Sequence, residues 1–276
     1  MIINTFSYLW SRSAVDAIEE LVEHGYSTFE IPVSSPHCWP DEISEADCAR
    51  MESLLGSSGA SIRSLNAGGY DLNLASPAAS MRRKSIEHIT AVIELASRWG
   101  AAEVVISPGT RRPMISPPLG KVYEWMYESV DMLLPRAAEA GVRLLMENTP
   151  YCFTPRIEDL AEVVRTVGSA NLGIVYDVAN AAYIEEDPVA ALREFHELIG
   201  LVHISDTGTD VWGHDPIGTG VVDFVGLGEA VRETCGVENV VLEIIREEQP
   251  LLEFRRAIRD LCERGWPLEG WPRPQV

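Results

Sequence analysis

Four residues in this 276-residue chain are of types that bind divalent cations, and each stands in or at the end of an apolar strand run. The run Val142-Arg143-Leu144-Leu145-Met146 leads into Glu147, and Leu172-Gly173-Ile174-Val175-Tyr176 leads into Asp177. His203 sits inside Leu201-Val202-His203-Ile204, and Glu243 sits in the middle of the strand run Val240-Val241-Leu242-Glu243-Ile244-Ile245. A lone strand histidine reads as a core imidazole bonded to a neighbour such as Asp206. A lone strand carboxylate would be desolvated and unpaired, at a cost of several kcal/mol. Three carboxylates and one imidazole at equivalent strand ends point instead to one shared cation. The oxygen-rich donor set suits Mn²⁺, Mg²⁺ or Co²⁺ better than a structural zinc.

The spacing of the four says what must position them. From 147 to 177 is 30 residues, from 177 to 203 is 26 and from 203 to 243 is 40. Each interval holds about one strand, one helix and two loops. Along the whole chain such units recur eight times. The first four strands are read at 2–8, 28–33, 61–67 and 103–107, and the helices at 13–24, 44–58, 77–99, 119–140, 155–167, 188–198, 223–235 and 251–264. Glycines 25, 59, 100, 141, 168, 200, 236 and 265 recur near the unit ends, as helix C-caps do. The reading is one α/β domain over 1–276, a single parallel (β/α)₈ TIM barrel. The barrel occupies about 1–265, and a Pro- and Trp-rich tail, 266–276, drapes on the surface. In such barrels the chemistry lies at the C-terminal strand ends, where the four candidates fall.

Other rim residues have chemical uses. Glu30 would bind a sugar hydroxyl or pair with an arginine, and Asn66, ending the third strand, is similar. His37 and Trp39 belong to a loop, read as solvated, where an aromatic could also stack on a sugar ring. His214 is placed to contact substrate or position a base. Asp206 would sit beside the site as a supporting or substrate group. Arg246 would neutralise a substrate carboxylate or pair with a surplus acid.

Composition narrows the function. With 42 acidic against 22 basic residues the net charge is −20, which repels phosphate backbones and argues against a nucleic-acid partner. No apolar run approaches a membrane span, and the first residues lack a basic, cleavable leader. Five cysteines without a CxxC pair read as reduced thiols of a cytoplasmic protein. The expected partner is a small sugar or keto-acid, with no membrane; homo-oligomerisation is left open.

The motifs LLMEN around Glu147, YDVAN around Asp177, VHISDT around His203, H-x-P-x-G-x-G-x-x-D-F from His214 to Phe224, and VLEI around Glu243 resemble the xylose isomerase-like TIM-barrel superfamily. That sugar phosphate isomerase/epimerase group includes ketose 3-epimerases, inosose dehydratase and endonuclease IV. The resemblance covers the whole chain. It implies one divalent cation, Mn²⁺ first with Mg²⁺, Co²⁺ or Zn²⁺ as alternatives, bound by Glu147, Asp177, His203 and Glu243, with the two glutamates moving protons. Such an ion would hold vicinal oxygens of a keto-sugar and stabilise an enediolate, an intermediate common to isomerisation and epimerisation. Dehydration and decarboxylation of keto-sugars, keto-inositols or keto-acids pass through it too, so a lyase is the alternative. A catalytically idle sugar-binding barrel and an abasic-site endonuclease rank below both. The ketohexose set of the 3-epimerases is missing. Phe153 stands for a glutamate, Asn180 for a substrate-binding histidine and Thr209 for an arginine. The histidine-bearing strand-four motif of endonuclease IV appears here as Ser107-Pro108-Gly109.

Overall fold

The structure, a computed structural model, describes residues 1–69 and 71–268. Eight parallel strands close in chain order, with the last pairing the first: β1 Ile2–Asn4, β2 Thr28–Pro32, β3 Ser61–Ala67, β4 Glu103–Ile106, β5 Arg143–Glu147, β6 Leu172–Asp177, β7 Ile199–Ile204 and β8 Val240–Leu242. The helices outside them are α1 Ala14–Glu23, α2 Glu45–Ser58, α3 Ala79–Trp99, α4 Leu119–Ala140, α5 Ile157–Val167, α6 Val178–Tyr183, α7 Pro188–Phe195, α8 Phe224–Glu233 and α9 Pro250–Glu263. Among the described residues, no helix is long and apolar enough to cross a membrane.

Local chemistry sets the boundaries. The hydroxyls of Ser13 and Ser44 accept the Asp16 and Asp47 N–H groups and so start α1 and α2. Helices α2 to α5 each end on a glycine in the left-handed region, Gly59, Gly100, Gly141 and Gly168. Gly200 departs from that reading. It lies inside β7, where the pairing with β6 steps from Ile174–Ile199 to Val175–Leu201 and leaves Gly200 as the extra residue of a bulge. A Cβ at Gly200 would stand 2.9 Å from Leu145 Cδ2. The bulge puts His203 beside Asp177.

The two-residue strand period sorts side chains between the barrel lumen and the helix layer. On β5 it sends Arg143, Leu145 and Glu147 to the inner face. Ile2, Val105, Leu145, Val175, Leu201 and Val241 fill the lumen as a separate apolar plug. A larger core joins the outer strand faces to the helices. The plug closes the barrel below the C-terminal rim, so polar groups above it form the floor of a cavity. Near the opposite end Arg63 pairs with Glu103 at 2.8 Å.

Two further differences from the sequence reading concern length and depth. Strand β8 stops at Leu242, so Glu243 stands one residue past its end and not at mid-strand. Trp266 does not lie on the surface: it is buried, and its Nε1–H donates to the Phe224 carbonyl at 2.8 Å. Residues 269–276 of the expected tail lie outside the described residues.

Candidate metal centre and active-site cavity

Strands β5, β6, β7 and β8 bring Glu147, Asp177, His203 and Glu243 together, each buried, with one ligand atom from each lying within 4.8 Å of the others. His203 Nδ1 stands 3.0 Å from Glu243 Oε2, 3.3 Å from Glu147 Oε1 and 3.9 Å from Asp177 Oδ2. Asp177 is fixed from two sides. Its Oδ1 accepts the Asn180 N–H at 2.7 Å and caps α6. Asn148 exchanges two hydrogen bonds with the Asp177 main chain, at 2.7 and 2.9 Å, and clamps β5 to β6.

The electrostatics are unbalanced. Glu30, Glu147, Asp177 and Glu243 crowd around one imidazole. Burial drives the Glu147 and Glu243 carboxyls above the ordinary range; His203 opposes this, and neighbouring carboxylates add to it. Burial would lower the His203 pKa, but Glu30 and Glu243 overcome it and raise the value well above normal. Asp177 Oδ2 is buried with no hydrogen-bond partner among the described residues. A carboxylate oxygen that makes no hydrogen bond among the described residues and faces three other donor groups is the arrangement a divalent cation completes, since the ion supplies the missing positive charge. The residues present fit such an ion.

Glu147 and Glu243 border a cavity of about 570 Å³, within the usual range for small-molecule sites. Its wall includes Asn66, Asn180, Trp212, His214 and Arg246. One hairpin-like loop carries Trp212 and His214 over the opening. Asp206 and Asp215 pair antiparallel at its base, with N···O distances of 2.9 and 2.7 Å. The fully buried Asp206 carboxylate accepts the N–H groups of Thr207, Gly220 and Val222 at 3.0, 2.8 and 3.1 Å. Asp206 therefore organises the loop and does not face the cavity. Trp212 Nε1–H donates to Asn180 Oδ1 at 2.7 Å, which fixes that amide. His214 Nδ1 lies 3.0 Å from Ser205 Oγ, 3.5 Å from Glu243 and 3.6 Å from Asp177.

The remaining candidates separate. Asn66 borders the cavity, and its Oδ1 accepts the Gly68 N–H at 2.9 Å. Arg246 also borders it, half-exposed, with its guanidinium paired to Asp215. Glu30 does not line it: it lies fully buried below the rim, held by Asn4 at 2.7 Å and Ser64 at 2.6 Å. Contact with a sugar hydroxyl is excluded there by depth, and its partner is His203, not an arginine. His37 is buried against Thr5 and the Arg12 carbonyl, and Trp39 stacks on His88 at 3.9 Å, so that loop is packed and not solvated.

Sequence reasoning passed over Asn4, Asn148, Ser64 and Gly68. Asn4 donates to both Glu30 and Glu243. A Cβ on Gly68 would stand 2.9 Å from Glu147 Oε2. The available signal was strand alternation: Asn4 follows the apolar Ile2-Ile3, and Asn148 follows Glu147 directly.

Comparison with known proteins agrees with this architecture. The family model for the xylose isomerase-like TIM barrel matches residues 18–263. Endonuclease 4 of Thermus thermophilus is 28% identical over 210 residues, covering 71% of this chain and 72% of that protein. The crystal structure of a D-tagatose 3-epimerase-like protein superposes with a TM-score of 0.81 at 23% identity, covering 95% of this chain and 97% of the other. The IolI protein, solved with a bound zinc atom, superposes with a TM-score of 0.77 at 20% identity, covering 95% of each chain. At these identities the structural likeness speaks for the fold alone.

Proposed function

The chain belongs to the xylose isomerase-like TIM barrel family, and from that premise we propose that it is a divalent-cation-dependent isomerase or epimerase of a keto-sugar or sugar derivative. The observation that carries the reading is the buried set Glu147, Asp177, His203 and Glu243, of which Glu147 and Glu243 border a sugar-sized cavity, with Asp177 Oδ2 making no hydrogen bond among the described residues. The four would hold one cation, Mn²⁺ first, with Zn²⁺ next because the similar IolI protein was solved with zinc. Bound there, the cation supplies Lewis-acid polarisation of a substrate carbonyl.

The chain's own residues do the rest. Glu147 ends β5 and Glu243 follows β8, so their carboxylates approach the cavity from strands separated by β6 and β7. One removes the proton from the carbon beside the carbonyl and the other delivers a proton to the opposite face. Both carboxylates border the cavity, and a bound cation would keep them ionised and so weak bases, which is why the substrate C–H must be acidified by the polarised carbonyl. Asn66, Asn180 and His214 hold substrate oxygens. Trp212 keeps water from the reacting carbon. Arg246, already paired with Asp215, contributes charge at the mouth.

One observation favours a lyase as the second reading. His214 stands 3.5 Å from Glu243 and borders the cavity, where an imidazole could protonate a departing hydroxyl. The acidic net charge of −20 weighs against cleavage of DNA, despite the similarity to endonuclease 4.

The test is metal content together with turnover. The purified protein should carry about one divalent ion per chain. It should convert at least one member of a keto-sugar and keto-acid panel when Mn²⁺ is present. His203→Ala and Asp177→Ala should lose the ion and the turnover together. Unchanged metal content in both variants would remove the ligand assignment. Full turnover in EDTA would remove the cation from the chemistry.

A further inference from the structure

The two nitrogens of His203 face opposite ways. Nδ1 points at Glu243, Glu147 and Asp177, at 3.0, 3.3 and 3.9 Å. Nε2 points down into the barrel at Glu30, 3.1 Å from Oε1. Glu30 is fully buried and does not reach the cavity, so no substrate touches it. Its carboxylate has no proton to give and only accepts hydrogen bonds. It accepts from Asn4 Nδ2 at 2.7 Å and from Ser64 Oγ at 2.6 Å, which hold it in place. The Asn4 amide is itself oriented, because its Oδ1 takes the Phe6 N–H at 2.7 Å. That aims the Asn4 NH₂ at both Glu30 and Glu243.

We infer that Glu30 is the positioning residue of the cation site: it receives the Nε2–H of His203 and thereby aims Nδ1 at the position among the three carboxylates that the cation would take. This deepens the proposed function and rests on its cation site. A histidine with its proton on Nδ1 would present a donor where a lone pair is needed. A carboxylate behind the imidazole fixes the tautomer, locks the ring and makes the ligating nitrogen more basic. Asn4 extends the same support to Glu243, so a single buried network orients two of the four ligands. The charge of Glu30 matters as well as its shape, because a neutral acceptor polarises the imidazole less.

The experiment is Zn²⁺ and Mn²⁺ binding by calorimetry on the full chain, stripped of metal, for wild type and Glu30→Gln. Gln keeps the size and one acceptor oxygen, and Ser64 can turn its hydroxyl to accept. Affinity should fall about 10- to 100-fold in Glu30→Gln, the loss seen when the partner behind a ligating histidine is replaced. Glu30→Asp, which keeps the charge, should recover part of that affinity. A Glu30→Gln affinity within twofold of wild type would overturn the role of Glu30 while leaving the cation site standing. Wild-type protein that takes up neither ion would overturn the cation site itself. The tautomer is read separately by nitrogen-15 NMR on the Zn²⁺-loaded wild type, so the inference is tested even if the variants do not fold. A directly bonded proton on His203 Nε2, and none on Nδ1, is expected. A proton on Nδ1 would overturn the inference.

Discussion

Replacing Asp206 with Asn should loosen the loop that roofs the cavity. The side chain is fully buried and accepts three main-chain N–H groups: Oδ1 takes Thr207 and Val222, and Oδ2 takes Gly220. Asn keeps one acceptor oxygen and turns the other into an NH₂ group. With the oxygen placed toward Thr207 and Val222, the new NH₂ confronts the Gly220 N–H, donor against donor. Bonds to an ionised acceptor contribute about 1.5–3 kcal/mol, and a buried donor left unsatisfied costs about 1–3 kcal/mol. One lost bond, and two weakened by loss of the charge, bring the expected cost to about 2–4 kcal/mol. This cost falls on a segment held mainly at its base, so it should appear as local opening between 207 and 222. Opening should become roughly 30- to 700-fold more frequent, at a factor of ten per 1.4 kcal/mol. Limited proteolysis and amide exchange across that segment measure it directly. Because Trp212 and His214 ride on the loop, KM should rise while metal content is unchanged. An Asp206→Asn protein with wild-type exchange rates in 207–222 would refute the reasoning.

The other predictions follow from the site. Gly68→Ala would place a methyl 2.9 Å from Glu147 Oε2, so kcat should fall about 10- to 100-fold while circular dichroism stays native; unchanged kcat would show that the carboxylate gives way freely. Trp212→Phe removes the 2.7 Å bond that orients Asn180, worth about 1 kcal/mol, and should raise KM about fivefold in steady-state assays. Metal removal should make stability depend on pH. The folded-state carboxyls of Glu147 and Glu243 are raised by burial, so their contribution is full below the ordinary carboxylate value and is lost as pH rises through the raised one. His203, raised despite burial by Glu30 and Glu243, acts in the same direction: its contribution is full below the ordinary imidazole value and is lost through the raised one. Glu30 is lowered: burial opposes this, but His203, Ser64 and Asn4 outweigh it, so its contribution is already full above the ordinary carboxylate value. The melting temperature in EDTA should therefore fall from pH 5 to pH 8, and the gain on adding Mn²⁺ should grow; a flat EDTA profile would refute this.

Much of the barrel was legible because an apolar run followed by a helix-length segment recurs along the chain, with a capping serine at α1 and α2 and a terminal glycine at α2 to α5. The marks mislead where one residue type serves two purposes. Gly200 follows a helix in sequence, yet it serves the β7 bulge, where a side chain would strike Leu145. Helix α6 was missed because Val178–Tyr183 is short and follows Asp177 without a loop, so the carboxylate both ends a strand and caps a helix. The four candidate ligands were legible because a charged group in an apolar strand has a cost that calls for a reason. Glu30 met the same test but was assigned to the wrong depth, since alternation gives the face of a strand and not the height above the lumen plug. The placement of Asp206 depends on loop hydrogen bonds from residues 14 and 16 positions away, which no periodicity records.

In the proposed reaction Glu147 and Glu243 move a proton at the carbon beside a substrate carbonyl. Turnover in D₂O, followed by proton NMR of product and recovered substrate, tests it most directly once a substrate is in hand. Wild type with Mn²⁺ should place deuterium at that carbon. Glu147→Gln and Glu243→Gln should each abolish the exchange or confine it to one face. Turnover that leaves the carbon free of deuterium, or exchange unaltered in both variants, would contradict the account.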